Sequence, residues 1–184
     1  MRSSKFCLLL LLLAFSCCQP SASSETEIPA EKVTEAPPLF VDPEGGKVWN
    51  IFGLQIVGKV FSEDTDGAYS VIVSHTPPEG GAPPHVHDIE DELFYVLEGE
   101  FTFVCAGESF QAKKGAVVVL PKGKPHSFKN TGTTVGRMMN TITPGGFEKF
   151  FDEVDQLPKD GPPDPVVLSE LAMKYKLRFL ETAN

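Results

Sequence analysis

The chain has 184 residues, 41% of them hydrophobic and 22% charged, an ordinary composition with enough apolar material for one globular core. Its formal charge of −9 argues against nucleic acid and anionic membrane surfaces as partners. Basic residues gather nowhere; Lys113-Lys114, Lys122 and Lys124 punctuate turns.

At the N-terminus, Arg2 and Lys5 flank the start of an unbroken apolar run from Phe6 to Phe15, and Ser16, Ser21, Ala22 and Ser23 follow. This is the pattern of a secretory signal peptide, assigned to residues 1–22, and the run is too short for the ~18 residues of a spanning helix. The expectation is a secreted or periplasmic protein without stable membrane insertion. Loss of Arg2 and Lys5 takes the charge from −9 to −11. Cys7, Cys17 and Cys18 also leave with the signal, so Cys105 is without an intrachain partner and reads as a small buried residue on a strand. Residues 23–38, polar and proline-containing, read as a flexible leader.

From residue 39 to 145 the pattern is one of short strands. "VWNIFGLQIVGKV", "AYSVIVSHT", "LFYVLEGEFTFV", "AVVVLP", "HSFKN" and "VGRMMNTITP" are rich in β-branched and aromatic residues and are separated by Gly, Pro and Asp clusters. Strands at this spacing close into a sandwich or barrel, so the fold class is all-β. Turns fall at "EDTDG" (63–67), "EGE" (98–100) and "NTG" (130–132). Residues 146–184 change period. Phe147, Phe150, Phe151 and Val154 recur at helical spacing, and Asp164 caps a second helix with Pro165 at its first position, carrying Val167, Leu168, Leu171 and Tyr175. Two short C-terminal helices therefore cover a sheet or act as a lid.

The chemistry concentrates in "PPHVHDIEDELFYVLEGE", residues 83–100. Alternate residues of a strand share a face, so His85 and His87 point the same way. Glu92 shares parity with Phe94 and Val96, and it turns inward if they do. A further donor, His126, follows the redirection at Pro121 and Gly123 and faces inward with Phe128. Buried imidazoles and a carboxylate need partners for every polar atom, and a divalent metal supplies them together. Four protein ligands leave open positions on a six-coordinate ion, unlike a closed, cysteine-rich structural zinc site. His75, before Pro77-Pro78, reads as a rim residue.

Two runs carry a resemblance. "HVHDIEDELFYVLEG", ending at Gly99, is similar to the first motif of the cupin superfamily, and "GAVVVLPKGKPHSFKN", from Gly115 to Asn130, to the second. One position departs: the lead glycine of the first motif falls at Glu79, with Gly80 and Gly81 just after it. The similarity spans about residues 45–145, and with "TPGGFEKFF" the chain resembles most the single-domain cupins described as similar to quercetin 2,3-dioxygenase. The resemblance implies a double-stranded β-helix, the cupin jelly-roll barrel. It also implies one divalent transition metal (Fe, Mn, Ni, Co, Cu or Zn) held by His85, His87, Glu92 and His126, and a homodimer.

A divalent ion with one carboxylate and neutral imidazoles keeps positive charge and favours an anionic oxygen ligand. The reading that follows is a dioxygenase acting with O2 on a flavonol-like or other enol or phenol aromatic. Glu92 is its catalytic proton acceptor as well as a ligand, and Phe94, Phe103, Phe128, Met138 and Asn140 are the pocket walls. Two other classes stay open, because fold does not fix activity: a metal- or small-molecule-binding cupin without turnover, and an isomerase or epimerase. Against the last, no basic cluster is present to grip a phosphorylated sugar.

Overall fold

Residues 91–98 show how the sequence builds the barrel. Glu92, Phe94 and Val96 are buried while Leu93 and Tyr95 reach solvent, the period of two that a strand with one wet face requires. In the computed structural model the described residues are 37–159 and 161–180. The signal peptide and all but the end of the leader lie outside them.

The first strands are β1 (Lys47–Ile51), β2 (Leu54–Val60), β3 (Ser70–Thr76), β4 (Gly81–His87), β5 (Asp91–Glu98) and β6 (Glu100–Cys105). Next come β7 (Glu108–Lys113), β8 (Val117–Leu120), β9 (His126–Asn130) and β10 (Gly136–Thr143). Helices α1 (Glu148–Asp155) and α2 (Pro165–Lys174) follow, then a last strand, β11 (Leu177–Phe179). They form two antiparallel sheets, ordered β1-β2-β3-β10-β5-β8 and β11-β4-β9-β6-β7. Two facing sheets of this kind, with the chain crossing from one to the other between β3 and β6 and again between β7 and β11, make the double-stranded β-helix.

Gly99 shows how tightly the chain switches sheets. It joins β5 in one sheet to β6 in the other at φ 89°, and a Cβ there would lie 2.8 Å from Gly136 Cα. Only glycine takes that conformation in that space.

The interior divides in two. At one end Phe94, Val96, Phe101, Phe103, Val118, Leu120 and Met138 pack together. At the other, Trp49, Ile56, Ile72 and Ile142 pack against Phe147, Phe150, Phe151 and Val154 of the α1 segment. The apolar spacing around α1 thus buries a phenylalanine face on the barrel mouth. Its Glu148 accepts hydrogen bonds from Ser62 N–H (3.0 Å), Ser62 Oγ (2.6 Å) and Gly146 N–H (2.8 Å), and Asp152 accepts from Trp49 Nε1 (2.8 Å). In α2, Asp164 caps the helix by accepting from Val166 N–H, and Leu168, Leu171 and Tyr175 pack inward. Val167, read as part of that face, is 44% exposed, because a ten-residue helix lying on the surface shields only a narrow stripe.

The C-terminal extension is not helical to its end. β11 pairs with β4, setting Leu177 opposite His87 and Phe179 opposite His85. Three residues after a helix carry no period that sequence can display, and the partner strand supplies the reason for the extended backbone.

Candidate metal centre

Three strands bring the polar residues together. β4 runs between β11 and β9, with His85 opposite His126 of β9, so three imidazoles come from one sheet. Glu92, between Ile142 of β10 and Leu120 of β8, comes from the other. The ligands therefore meet across the barrel.

One ligand atom from each of His85, His87, Glu92 and His126 lies within 4.8 Å of the others, and all four residues are buried. Glu92 Oε2 is 2.9 Å from His126 Nε2 and 3.7 Å from His87 Nε2. Each Nδ1 faces an acceptor instead: Pro83 O at 2.7 Å for His85, Lys124 O at 2.9 Å for His126, and Glu90 Oε2 at 3.3 Å for His87. Those acceptors place the ring proton on Nδ1 and turn the Nε2 lone pairs toward one another and toward a carboxylate. Lone pairs converging in a buried space repel unless a proton or a cation lies between them. A divalent transition metal fits this donor set of nitrogen and oxygen.

Burial alone would push the Glu92 carboxyl up, but His87 and the hydrogen bond with His126 outweigh it and hold it down to about 2. Burial dominates at His85, pushing it down to about 4 despite Glu92, so its imidazole is neutral at pH 7. At His87 burial is outweighed by Glu92 and the bond to Glu90, which raise it. Glu90, buried beside His87, is a residue that sequence reasoning passed over.

His85, His87 and Glu92 of the cluster form one wall of a largely apolar cavity. Of the predicted walls, Phe94, Phe128 and Asn140 line it. Phe103 and Met138 do not: the pocket reading is corrected there, since both are wholly buried in the closed half of the barrel. Parity puts them on the inner face, but their depth along the axis places them below the cavity. The walls that sequence reasoning missed are Ile56 and Ser74, the phenylalanines 147, 150 and 151, and Phe179 of β11. The helical period of the three phenylalanines was legible; what they face was not. Asn140 Nδ2 donates to Glu92 Oε1 at 2.6 Å. His75 is half-buried on the outer face of β3, opposite Arg137 and Gln55 and away from the cluster. Cys105 ends β6, half-buried, and is a free thiol.

The cupin domain family matches residues 72–142. Quercetin 2,3-dioxygenase of Bacillus subtilis is 29% identical over 135 residues, 73% of this chain and 38% of that one. An oxalate-binding protein of Thermotoga maritima is 38% identical over 58 residues, 32% of this chain and 48% of its own. The chain thus matches less than half the length of either curated relative. Among solved structures, KdgF from Halomonas sp. superposes with a TM-score of 0.55 at 16% identity, over 61% of this chain and 99% of that one, a likeness of fold.

Proposed function

Because the chain belongs to the cupin superfamily, we propose that it is a metal-dependent enzyme, a quercetinase-like dioxygenase that cleaves a flavonol-like or other enol or phenol aromatic with O2. The observation that carries this reading is the convergence of one ligand atom from each of three imidazoles and one carboxylate within 4.8 Å, beside a largely apolar cavity. His85, His87, Glu92 and His126 would hold one divalent ion, which would supply Lewis-acid chemistry toward an anionic oxygen of the substrate.

The chain's own residues do the rest. Glu92 is placed to accept the proton of a substrate hydroxyl, with Asn140 fixing its second oxygen. Phe94, Phe128 and Phe147 exclude water from the polar wall, and Phe147 stands edge-on to the His87 ring at 4.4 Å. The cavity encloses about 90 Å³. An engineered apolar cavity of about 150 Å³ holds benzene, so an aromatic substrate would enter this smaller one by displacing the phenylalanine cover.

Secretion through the signal at 1–22 and a homodimer belong to the same reading. The first is supported by the basic and apolar pattern of the N-terminus. The second is supported by β8, an edge strand whose Val117 and Val119 are each 59% exposed, surface that a second copy would cover. Among the described residues no helix is long and apolar enough to cross a membrane.

The test is elemental mass spectrometry of the purified protein beside oxygen uptake with a flavonol panel. About one metal per chain with oxygen consumed is the expected result. Metal without turnover on any aromatic moves the assignment to a binding cupin, the reading that the oxalate-binding relative favours. Absence of metal after anaerobic reconstitution overturns the centre itself.

A further inference from the structure

Among the described residues, the side chains of Ser70, Ser74, Thr76 and Asn140 each bury a polar atom that has no hydrogen-bond partner. Two of these residues, Ser74 and Asn140, line the cavity that holds the His and Glu cluster. Both are buried, at 5% and 3% exposure. An amide or hydroxyl left in that state destabilises the fold, so such atoms in a cavity wall are read as contacts for whatever enters it.

Their orientation is fixed by chemistry. Glu92, as a carboxylate, accepts hydrogen bonds and offers none, so the atom of Asn140 lying 2.6 Å from it is the amide nitrogen. The other arm, Oδ1, is then an acceptor and takes only a donor. It is joined to Nδ2 through a single carbon, which keeps it within one amide width of the Glu92 carboxylate. Ser74 Oγ takes either a donor or an acceptor. In the sheet, Ser74 pairs with Met138 and Asn140 pairs with Ile72, so the two residues are diagonal neighbours on the inner face. Diagonal residues stand roughly 7–8 Å apart or somewhat less, about the span of one hydroxylated ring.

We infer that the ligand of this cavity is a vicinal dioxygen compound of about one ring: one oxygen faces the imidazoles, and a neighbouring hydroxyl donates to Asn140 Oδ1. A further ring substituent of either hydrogen-bonding sense meets Ser74. This class includes catechols, enediols and α-hydroxyketones. It leaves out dianions such as oxalate, which bring no donor to Asn140 and set negative charge against its carbonyl oxygen. The inference rests on the metal-centre reading above and names the substrate class of that same site.

The experiment uses the full chain loaded with cobalt(II), without oxygen, and reads the affinity of catechol, 2-methoxyphenol and oxalate from the cobalt absorption spectrum. Catechol is expected to bind about tenfold to a hundredfold more tightly than 2-methoxyphenol, and oxalate more weakly than catechol. Methylation also weakens chelation, so the decisive quantity is the change in that ratio on Asn140→Ala, which should fall by about tenfold at unchanged cobalt content. If Asn140→Ala releases cobalt, Ser74→Ala takes its place, because Ser74 bonds to none of the four ligands. It should remove the preference for 1,2,4-trihydroxybenzene over catechol. Cobalt retained with an unchanged ratio, an unchanged preference in the Ser74 variant, or tighter binding of oxalate overturns this inference alone. A wild-type chain that fails to retain cobalt overturns the centre beneath it as well.

Discussion

The same strands build both ends of the barrel interior, and the two ends are opposites. β5 turns Glu92, Phe94 and Val96 inward, and β10 turns Ile142, Asn140 and Met138 inward. Val96 and Met138, both at 0% exposure, close one end in a dry cluster with Phe101 and Phe103. Two to four residues along, Asn140 and Glu92 face His126 and the cavity. Depth along a strand, not its face, separates a residue that only packs from one that meets a ligand. The closed end is stabilised by contacts alone, whereas the open end carries charges that need a partner.

Breaking that contrast has its largest effect at the open end. His126→Ala should abolish metal retention, read as metal per chain after gel filtration, because it removes one of four ligands and leaves Glu92 buried without its nearest imidazole. A variant that still holds one metal per chain sinks the four-ligand centre. Next comes the closed end. Phe103→Ala should cost about 3–5 kcal/mol in urea unfolding, the range for emptying a full aromatic site, while metal content per folded chain stays at the wild-type value. Loss of metal from a still-folded Phe103→Ala protein would show that the two ends are not independent.

Much of this was legible in the sequence, for reasons that differ by element. The period of two in β5 and the spacing of His85 and His87 give the facing of the ligands directly, because side-chain direction in a strand is local. The caps and period of α1 and α2 are local too. What failed was anything set by long-range register. Phe103 and Met138 have the right parity for pocket walls and the wrong depth. The strand of His85 and His87 was expected, but its extension back through Pro83 and Pro84 to Gly81 was not. In the structure the two prolines sit where the β4–β9 register shifts, between the Ala82–Phe128 and His85–His126 pairs, a position a strand tolerates. β11 was hidden because its extended form depends on β4. The roles of Ser74 and Glu90 were hidden because neither an unpaired hydroxyl nor a carboxylate behind a ligand has any sequence period.

Glu90 sharpens the comparison among the three imidazoles. His85 and His126 are oriented by backbone carbonyls, which no substitution removes, and His87 by a side chain. Glu90→Gln should therefore weaken metal binding about tenfold to a hundredfold, the usual effect of losing an outer carboxylate, without changing the stoichiometry at saturation. Competition with a chelator measures it. Wild-type affinity in the variant would mean that the contact at 3.3 Å does not orient His87.

The smallest expected effect concerns what fastens the cover over the open end. Glu148 ties α1 to the loop after β2, and its hydrogen bonds from Ser62 and Gly146 outweigh the burial that would raise it, so its carboxyl is held below the ordinary 4.5. A carboxyl depressed in the folded state contributes stability that is fully present above 4.5 and disappears as the pH falls through the folded value. Glu148→Gln should cost about 1 kcal/mol at pH 7 and should lose less stability than wild type on acidification below 4.5, because the amide keeps an acceptor for one donor and has no proton to gain. Urea midpoints at pH 7 and pH 4 measure both. An acid dependence identical to wild type would place the latch elsewhere.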